Sequence, residues 1–148
     1  MLVTQDTTID APIQAVFLFV EDIASYPQWS TGLKQASIDA EMPIRPGSSF
    51  EILLDRNGSR HGFHGTVTKH EPHGAFAIEC TDDRYVHVVI NWLLEDVNGR
   101  THVSMESQAE FLKWYLNLLD ALVLSRMSRP DVVGLEGLKA FAEKMWSE

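Results

Sequence analysis

The chain has 148 residues, 45% hydrophobic and 22% charged, which fits a globular domain and excludes a disordered one. Its net charge is −9 and its basic residues are scattered from Lys34 to Lys144 without a cluster, so neither nucleic acid nor an anionic membrane surface is an expected partner. One cysteine, Cys80, excludes a disulfide framework within a monomer.

In chain order, Leu2 to Ile9 reads as a first strand with Val3, Gln5, Thr7 and Ile9 on one face. After the turn at Asp10-Ala11-Pro12, with Asp10 or Ala11 as the cap, Ile13, Val16, Phe17 and Val20 recur at helical spacing. A shorter helical turn is expected over Asp22 to Tyr26, ended by Pro27. Leu33 to Ala40 is a weak strand before the breakers Pro43, Pro46 and Gly47.

From there the period is two. Phe50, Ile52 and Leu54 alternate up to Asn57-Gly58, a two-residue hairpin signal. A strand from about Phe63 to Glu71 turns at Pro72-His73-Gly74, and Phe76, Ile78 and Cys80 alternate after it. Tyr85 to Asp96 forms a long strand, assigned Val86, Val88, Ile90 and Trp92 inward because the other phase carries His87, Asn91 and Glu95. Beyond Asn98-Gly99 the alternation is cleanest: Val103, Met105, Ser107, Ala109 and Phe111 face one way, and His102, Ser104, Glu106, Gln108 and Glu110 the other. One wet and one buried face is what an antiparallel sheet packed on one side requires.

The stretch from Phe111 to Trp146 is helical in pattern and divides in two. Eleven of the fourteen residues from Phe111 to Leu124 are apolar or aromatic, more than one sheet face needs. This run is shorter than the ~20 residues of a membrane span and is interrupted by Lys113, Asn117 and Asp120, so no stable membrane insertion is expected. Past Pro130, the residues Leu135, Leu138, Phe141, Ala142 and Met145 make an ordinary one-faced helix. With no charged segment leading into an apolar signal core, a cytoplasmic location is expected. Strand, two short helices, a meander and a terminal helix amount to an α+β fold in a single domain spanning residues 1–148.

These residues resemble the START-like, or SRPBCC, superfamily, in particular its polyketide cyclase/dehydrase and lipid-transport type of domain. The resemblance is carried by Ile9-Asp10-Ala11-Pro12 leading into Val16-Phe17, by Asp22 followed by Tyr26-Pro27-Gln28-Trp29, and by Pro46-Gly47 before a strand. Val67 to Pro72, Gly99-Arg100-Thr101-His102-Val103 and Leu138-Lys139-Ala140-Phe141-Ala142-Glu143 continue it over essentially the whole chain. It implies a helix-grip fold, a curved antiparallel sheet of about seven strands wrapped on a long C-terminal helix with an apolar ligand cavity between them. One departure is visible: Pro130, with Gly134 and Gly137, interrupts the terminal helix.

On this reading the ligand is a hydrophobic small molecule such as a lipid, polyketide or isoprenoid, bound without a cofactor. Trp29, Phe50, Ile52, Phe76, Ile78, Trp92, Met105, Ser107, Trp114, Leu118 and Leu122 are the expected binding residues. The same side chains would also serve as solid core, since large aromatics are the usual filler. His61, His64, His70 and His73 fall within thirteen residues, but their strand and turn placement reads as a solvated face rather than a metal site. Glu51, Glu79, Glu106 and Glu110 are expected to face solvent, and Cys80 to be a buried small hydrophobe. No catalytic residue stands out, although Tyr26, Arg56, Arg84, His87 and Asn91 could supply polar contacts if the strand phases differ. Two other functions fit the pattern: a polyketide aromatase/cyclase or dehydratase, and an interaction module. The latter would use Leu116, Leu119, Leu122 and Val123 as a docking face, a homodimer included.

Overall fold

The computed structural model describes residues 2–30, 33–39, 44–56, 59–83, 86–111 and 135–147. Seven strands, β1 (Leu2–Ile9), β2 (Leu33–Asp39), β3 (Ser49–Arg56), β4 (Ser59–Glu71), β5 (Ala75–Thr81), β6 (Val86–Val97) and β7 (Arg100–Phe111), form one curled antiparallel sheet. Their order is β1-β7-β6-β5-β4-β3-β2, so the first strand returns to pair with the last. Helix α1 (Ile13–Glu21) and a 3₁₀ helix (Ile23–Gln28) follow β1, and helix α2 (Leu135–Ser147) closes the chain. The α+β helix-grip arrangement is therefore present, with the meander from β2 to β7 built by successive hairpins.

The turn chemistry explains the hairpins. Asn98 and Gly99 both take positive φ, 55° and 85°, which the two-residue turn between β6 and β7 needs. His73 also has positive φ in the turn between β4 and β5, where the amide of Gly74 donates to the Glu71 carbonyl at 3.0 Å. Gly65 answers a different need. A Cβ there would lie 2.1 Å from the Glu79 carbonyl oxygen, so only glycine lets β4 approach β5 this closely.

Cross-strand register carries one face through the sheet without a break. Phe76, Trp92, Met105 and Gln5 are successive partners, as are Val67, Ile78, Ile90, Ser107 and Val3 in the next inward row. The inward phase assigned to β6 holds: Ile90 and Trp92 are buried, while Asn91, Leu93 and Glu95 are exposed. Glu51, Glu79, Glu106 and Glu110 lie on the outer face in solvent, as expected.

The helices cover one end of that face. Val16, Phe17 and Val20 of α1 are buried, and the Thr101 hydroxyl donates to the Ala11 carbonyl at 2.8 Å, pinning the start of α1 to β7. The N-cap of α1 is Pro12, and its side chain makes no capping bond; proline carries no capping oxygen, so neither Asp10 nor Ala11 plays that part. Pro27 sits inside the 3₁₀ helix rather than ending a turn before it; it has no N–H to donate, and the turn is carried past it by the Trp29 amide donating to the Tyr26 carbonyl at 3.2 Å. Tyr26, fully buried, donates its hydroxyl to the Val20 carbonyl in the last turn of α1, and burial holds its phenol far above the ordinary range.

Helix α2 buries Leu135, Leu138 and Ala142, leaves Phe141 half-buried, and leaves Met145 45% exposed, so the apolar stripe ends one turn earlier than its spacing suggests. Lys139 links the helix to β1, donating to the Thr8 carbonyl at 2.7 Å and to Glu143 at 2.9 Å. Glu143 also accepts from the Asp10 amide at 2.8 Å, and these partners hold its carboxyl below the usual carboxylate range.

Gly137 lies within α2 and is not an interruption. A Cβ at that position would stand 1.8 Å from the Trp29 carbonyl oxygen, so the glycine admits the loop backbone against the helix. Pro130 and Gly134, like the rest of 112–134, lie outside the described residues. Replacing a helical glycine by alanine ordinarily stabilises by about 1 kcal/mol. Gly137→Ala is expected to do the reverse, lowering unfolding stability by more than about 1 kcal/mol in urea melts. A gain in stability would show that the contact with Trp29 yields.

Candidate functional site

The inner face is largely apolar but is covered unevenly. At the end beneath the helices, Ile9, Thr101, Val103, Leu94, Trp92, Met105 and Phe76 are buried, with Phe17 of α1 edge-on to Phe76 at 6.4 Å between ring centroids. Towards the other end the same inward phases open. Val86, Val88, Ser107 and Ala109 on β6 and β7 are only half-buried, as are Ala36, Ile38 and Phe63 on β2 and β4. Ala36, Ile52 and Phe63 are direct cross-strand partners; a cleft of about 530 Å³ at this corner is lined by both strand phases, outer-face Glu51 and His64 included, so it does not define an inner-face cavity. An apolar surface on the inner face of a curled sheet, half open, is a place for an apolar ligand.

The expected binding residues separate accordingly. Phe76, Trp92 and Met105 lie in the closed layer and Trp29 packs against it, its ring 6.3 Å from that of Trp92 and 4.8 Å from that of Tyr26. Phe50, Ile52 and Ile78 are buried nearer the open end, and Ser107 supplies a half-buried hydroxyl between Ile90 and Val3. Sheet register thus gathers Phe50, Ile52, Phe76, Ile78, Trp92, Met105 and Ser107 on one face, with Trp29 brought to it by the 3₁₀ helix. Trp114, Leu118 and Leu122, with Leu116, Leu119 and Val123, lie outside the described residues.

One inward polar residue was not anticipated. Simple alternation from Phe63 sends His70 outward to solvent, but β4 carries a bulge between Val67 and Lys69 that reverses the phase. His70 therefore joins the row of Phe76 and Trp92, half-buried, with its Nε2 2.7 Å from Glu21 Oε2 at the end of α1. The rings of Phe17 and Phe76 stand edge-on to it at 5.5 and 6.2 Å. No residue signal in Val67-Thr68-Lys69 announces a bulge, because neither glycine nor proline marks it.

The other histidines match the solvated reading where described. His64 pairs with Asp83 on the outer face, His73 is exposed in its turn, and His61 has no described side chain. His87 lies 3.0 Å from Glu79 and His102 3.2 Å from Asp6, both on the outer face. Among the described residues no group of histidine, cysteine and carboxylate side chains could hold a metal ion. Asn91 is exposed, and the side chain of Arg56 and all of Arg84 lie outside what is described. No helix among the described residues is long and apolar enough to cross a membrane.

Comparisons with known proteins agree with this geometry. A family model described as polyketide cyclase/dehydrase and lipid transport matches residues 1–143. No curated protein sequence matches the chain. Among solved structures, the chain is similar to the Zhui aromatase/cyclase from Streptomyces sp. R1128, with 15% identity and a TM-score of 0.77 over 97% of this chain and 94% of that one. A START superfamily protein from Mycobacterium smegmatis is similar at 15% identity and a TM-score of 0.72, covering 97% of this chain and 98% of that one. The di-domain ARO/CYC StfQ from the steffimycin biosynthetic pathway matches at 14% identity and a TM-score of 0.76, over 100% of this chain and 53% of that one. At such identities the likeness is one of fold.

Cys80 lies on the inner face beside Val88 and opposite Gly65. Burial, reinforced by the charges of Glu79 and Asp82, pushes its thiol up to about 12. Since the thiolate is the reactive form, labelling by a thiol reagent at pH 8 is expected to run more than about a hundredfold slower in the native protein than in urea. Comparable rates would mean that this part of the inner face opens freely to solvent.

Proposed function

The chain belongs to the polyketide cyclase/dehydrase and lipid transport family, and from that membership we propose that it binds a hydrophobic small molecule on the inner face of its sheet. The observation carrying this reading is the half-exposed apolar surface of Ala36, Ile38, Phe63, Val88 and Ala109, continuous with a fully buried core. Ordinary folding would cover such a surface, because each exposed Å² forgoes about 25 cal/mol. A ligand that removes roughly 300–400 Å² of combined apolar area from water gains about 8–10 kcal/mol gross. Association costs of at least about 4 kcal/mol leave an affinity no tighter than about tens of micromolar.

In this reading Phe50, Ile52, Ile78 and Ser107 wall the ligand, and Trp29, Phe76, Trp92 and Met105 form the closed end. Trp114, Leu118 and Leu122 complete the proposed wall from the sequence side. The ligand class is a lipid, a polyketide or an isoprenoid, held by one binding unit made of the whole chain. The net charge of −9 supports a protein that does not take nucleic acid. The free, buried Cys80 supports a reducing compartment such as the cytoplasm.

A catalytic reading has one observation in its favour. His70 and Glu21 form a hydrogen-bonded imidazole–carboxylate pair on the inner side, with side chains 16% and 19% exposed, which is the equipment of proton transfer. Cyclisation with aromatisation or dehydration would release water from the bound chain. One experiment separates the two: native mass spectrometry of the gently purified protein, then of protein incubated with a panel of lipids and linear polyketide mimics. Binding predicts saturable adducts of unchanged mass, and catalysis predicts products lighter by the mass of water. A clean unliganded mass with no saturable uptake would contradict both.

A further inference from the structure

Among the described residues, two buried donors at the closed end of the inner face have no acceptor. The indole Nε1 of Trp29 and that of Trp92 are buried and find no hydrogen-bond partner among those residues. Trp92 is fully buried and Trp29 is 6% exposed. Their rings stand nearly perpendicular, 81° apart with centroids 6.3 Å from each other, so the two tryptophans that carry these donors are direct neighbours. Buried polar groups are nearly always satisfied, and an indole can only donate. The two tryptophans come from different elements, the end of the 3₁₀ helix and the inner phase of β6. Tyr26, the polar neighbour of Trp29, spends its own hydroxyl on the Val20 carbonyl. The inward serine on β7, Ser107, stands opposite Ile90 rather than opposite Trp92, whose partner there is Met105.

We infer that this pair of indole N–H groups is a recognition point for an acceptor oxygen, so the ligand is an oxygenated hydrophobe, a ketone or other carbonyl compound, rather than a pure hydrocarbon. The inference deepens the binding function proposed above and rests on it. An edge-to-face ring contact contributes less than an orphaned buried donor costs, so parting the rings around an oxygen is favourable. The carbonyl end of the ligand lies against Trp29 and Trp92, and its apolar body extends along Ile90 and Val88 towards the half-open end of the sheet. Trp29 is also braced from behind, because its carbonyl abuts α2 at Gly137, which sets where its ring lies.

The test uses two probes of matched shape, 2-acetylnaphthalene and 2-isopropenylnaphthalene, which differ in presenting C=O or C=CH₂. The ketone is the better solvated in water, so partitioning alone favours the alkene. The expected result is that the wild-type protein binds the ketone about tenfold more tightly by titration calorimetry, the worth of one good hydrogen bond. Trp29→Phe and Trp92→Phe, which keep a ring and lose the donor, should each remove most of that preference. In the wild type, with the indole signals assigned directly, those of Trp29 and Trp92 should move downfield with the ketone and not with the alkene. Equal affinities, or ketone binding that leaves both indole signals in place, would overturn the inference while leaving the binding function standing. Failure of both probes and of the wider lipid and polyketide panel to bind would overturn the two together.

Discussion

Phe76, Trp92 and Met105 meet side by side across three adjacent strands, and this layer is what α1 and the 3₁₀ helix are packed to cover, with α2 set against β1 and α1. Phe17 reaches it from α1 and Trp29 from the 3₁₀ helix, while α2 backs Trp29 through the close contact at Gly137. Once those contacts are made, the helices have no further length with which to shield the rest of the face among the described residues. The inner surface beyond Ile78 and Ile90 is left apolar and half open. Core and proposed binding surface are thus one continuous face, distinguished by what lies over them.

Curvature follows from the same layer. Gly65 brings β4 against β5 where a side chain would collide with the Glu79 carbonyl, and the bulge after Val67 bends β4 again. A flat sheet of this size would present its apolar face to water; a curled one shelters it. The bulge has a chemical consequence as well, since it turns His70 inward to Glu21 and places the inward acid–base pair beneath α1. The outer face meanwhile carries His64, His87 and His102 against carboxylates in the open, where such pairs contribute little to stability.

Much of this was legible in the sequence, for reasons that can be named. The period of two in β7 and in the second half of β6 reports directly which side is buried, because burial on one face is what selects the pattern. The turn at Asn98-Gly99 is legible because only such residues accept its positive φ values. What was not legible depends on contacts between distant elements. Gly137 reads as a helix interruption until the Trp29 carbonyl is seen beside it, and His70 reads as solvated until the bulge is located. The orphaned indoles depend on which acceptors the fold leaves within reach, and no local pattern records that. Met145 shows the converse, an apolar residue at helical spacing that the sheet does not extend far enough to cover.

The central claim is that one face of the sheet, and only that face, takes the ligand. Nuclear Overhauser contacts between a bound hydrophobic probe and selectively labelled methyl groups test it most directly. The account predicts contacts to the inward methyls of Ile52, Val88, Ile90 and Ala109, and none to Val89 or Leu93 on the outer side of β6. Contacts confined to Leu93 and Val89, or a saturably bound probe that reaches no inward methyl, would contradict it.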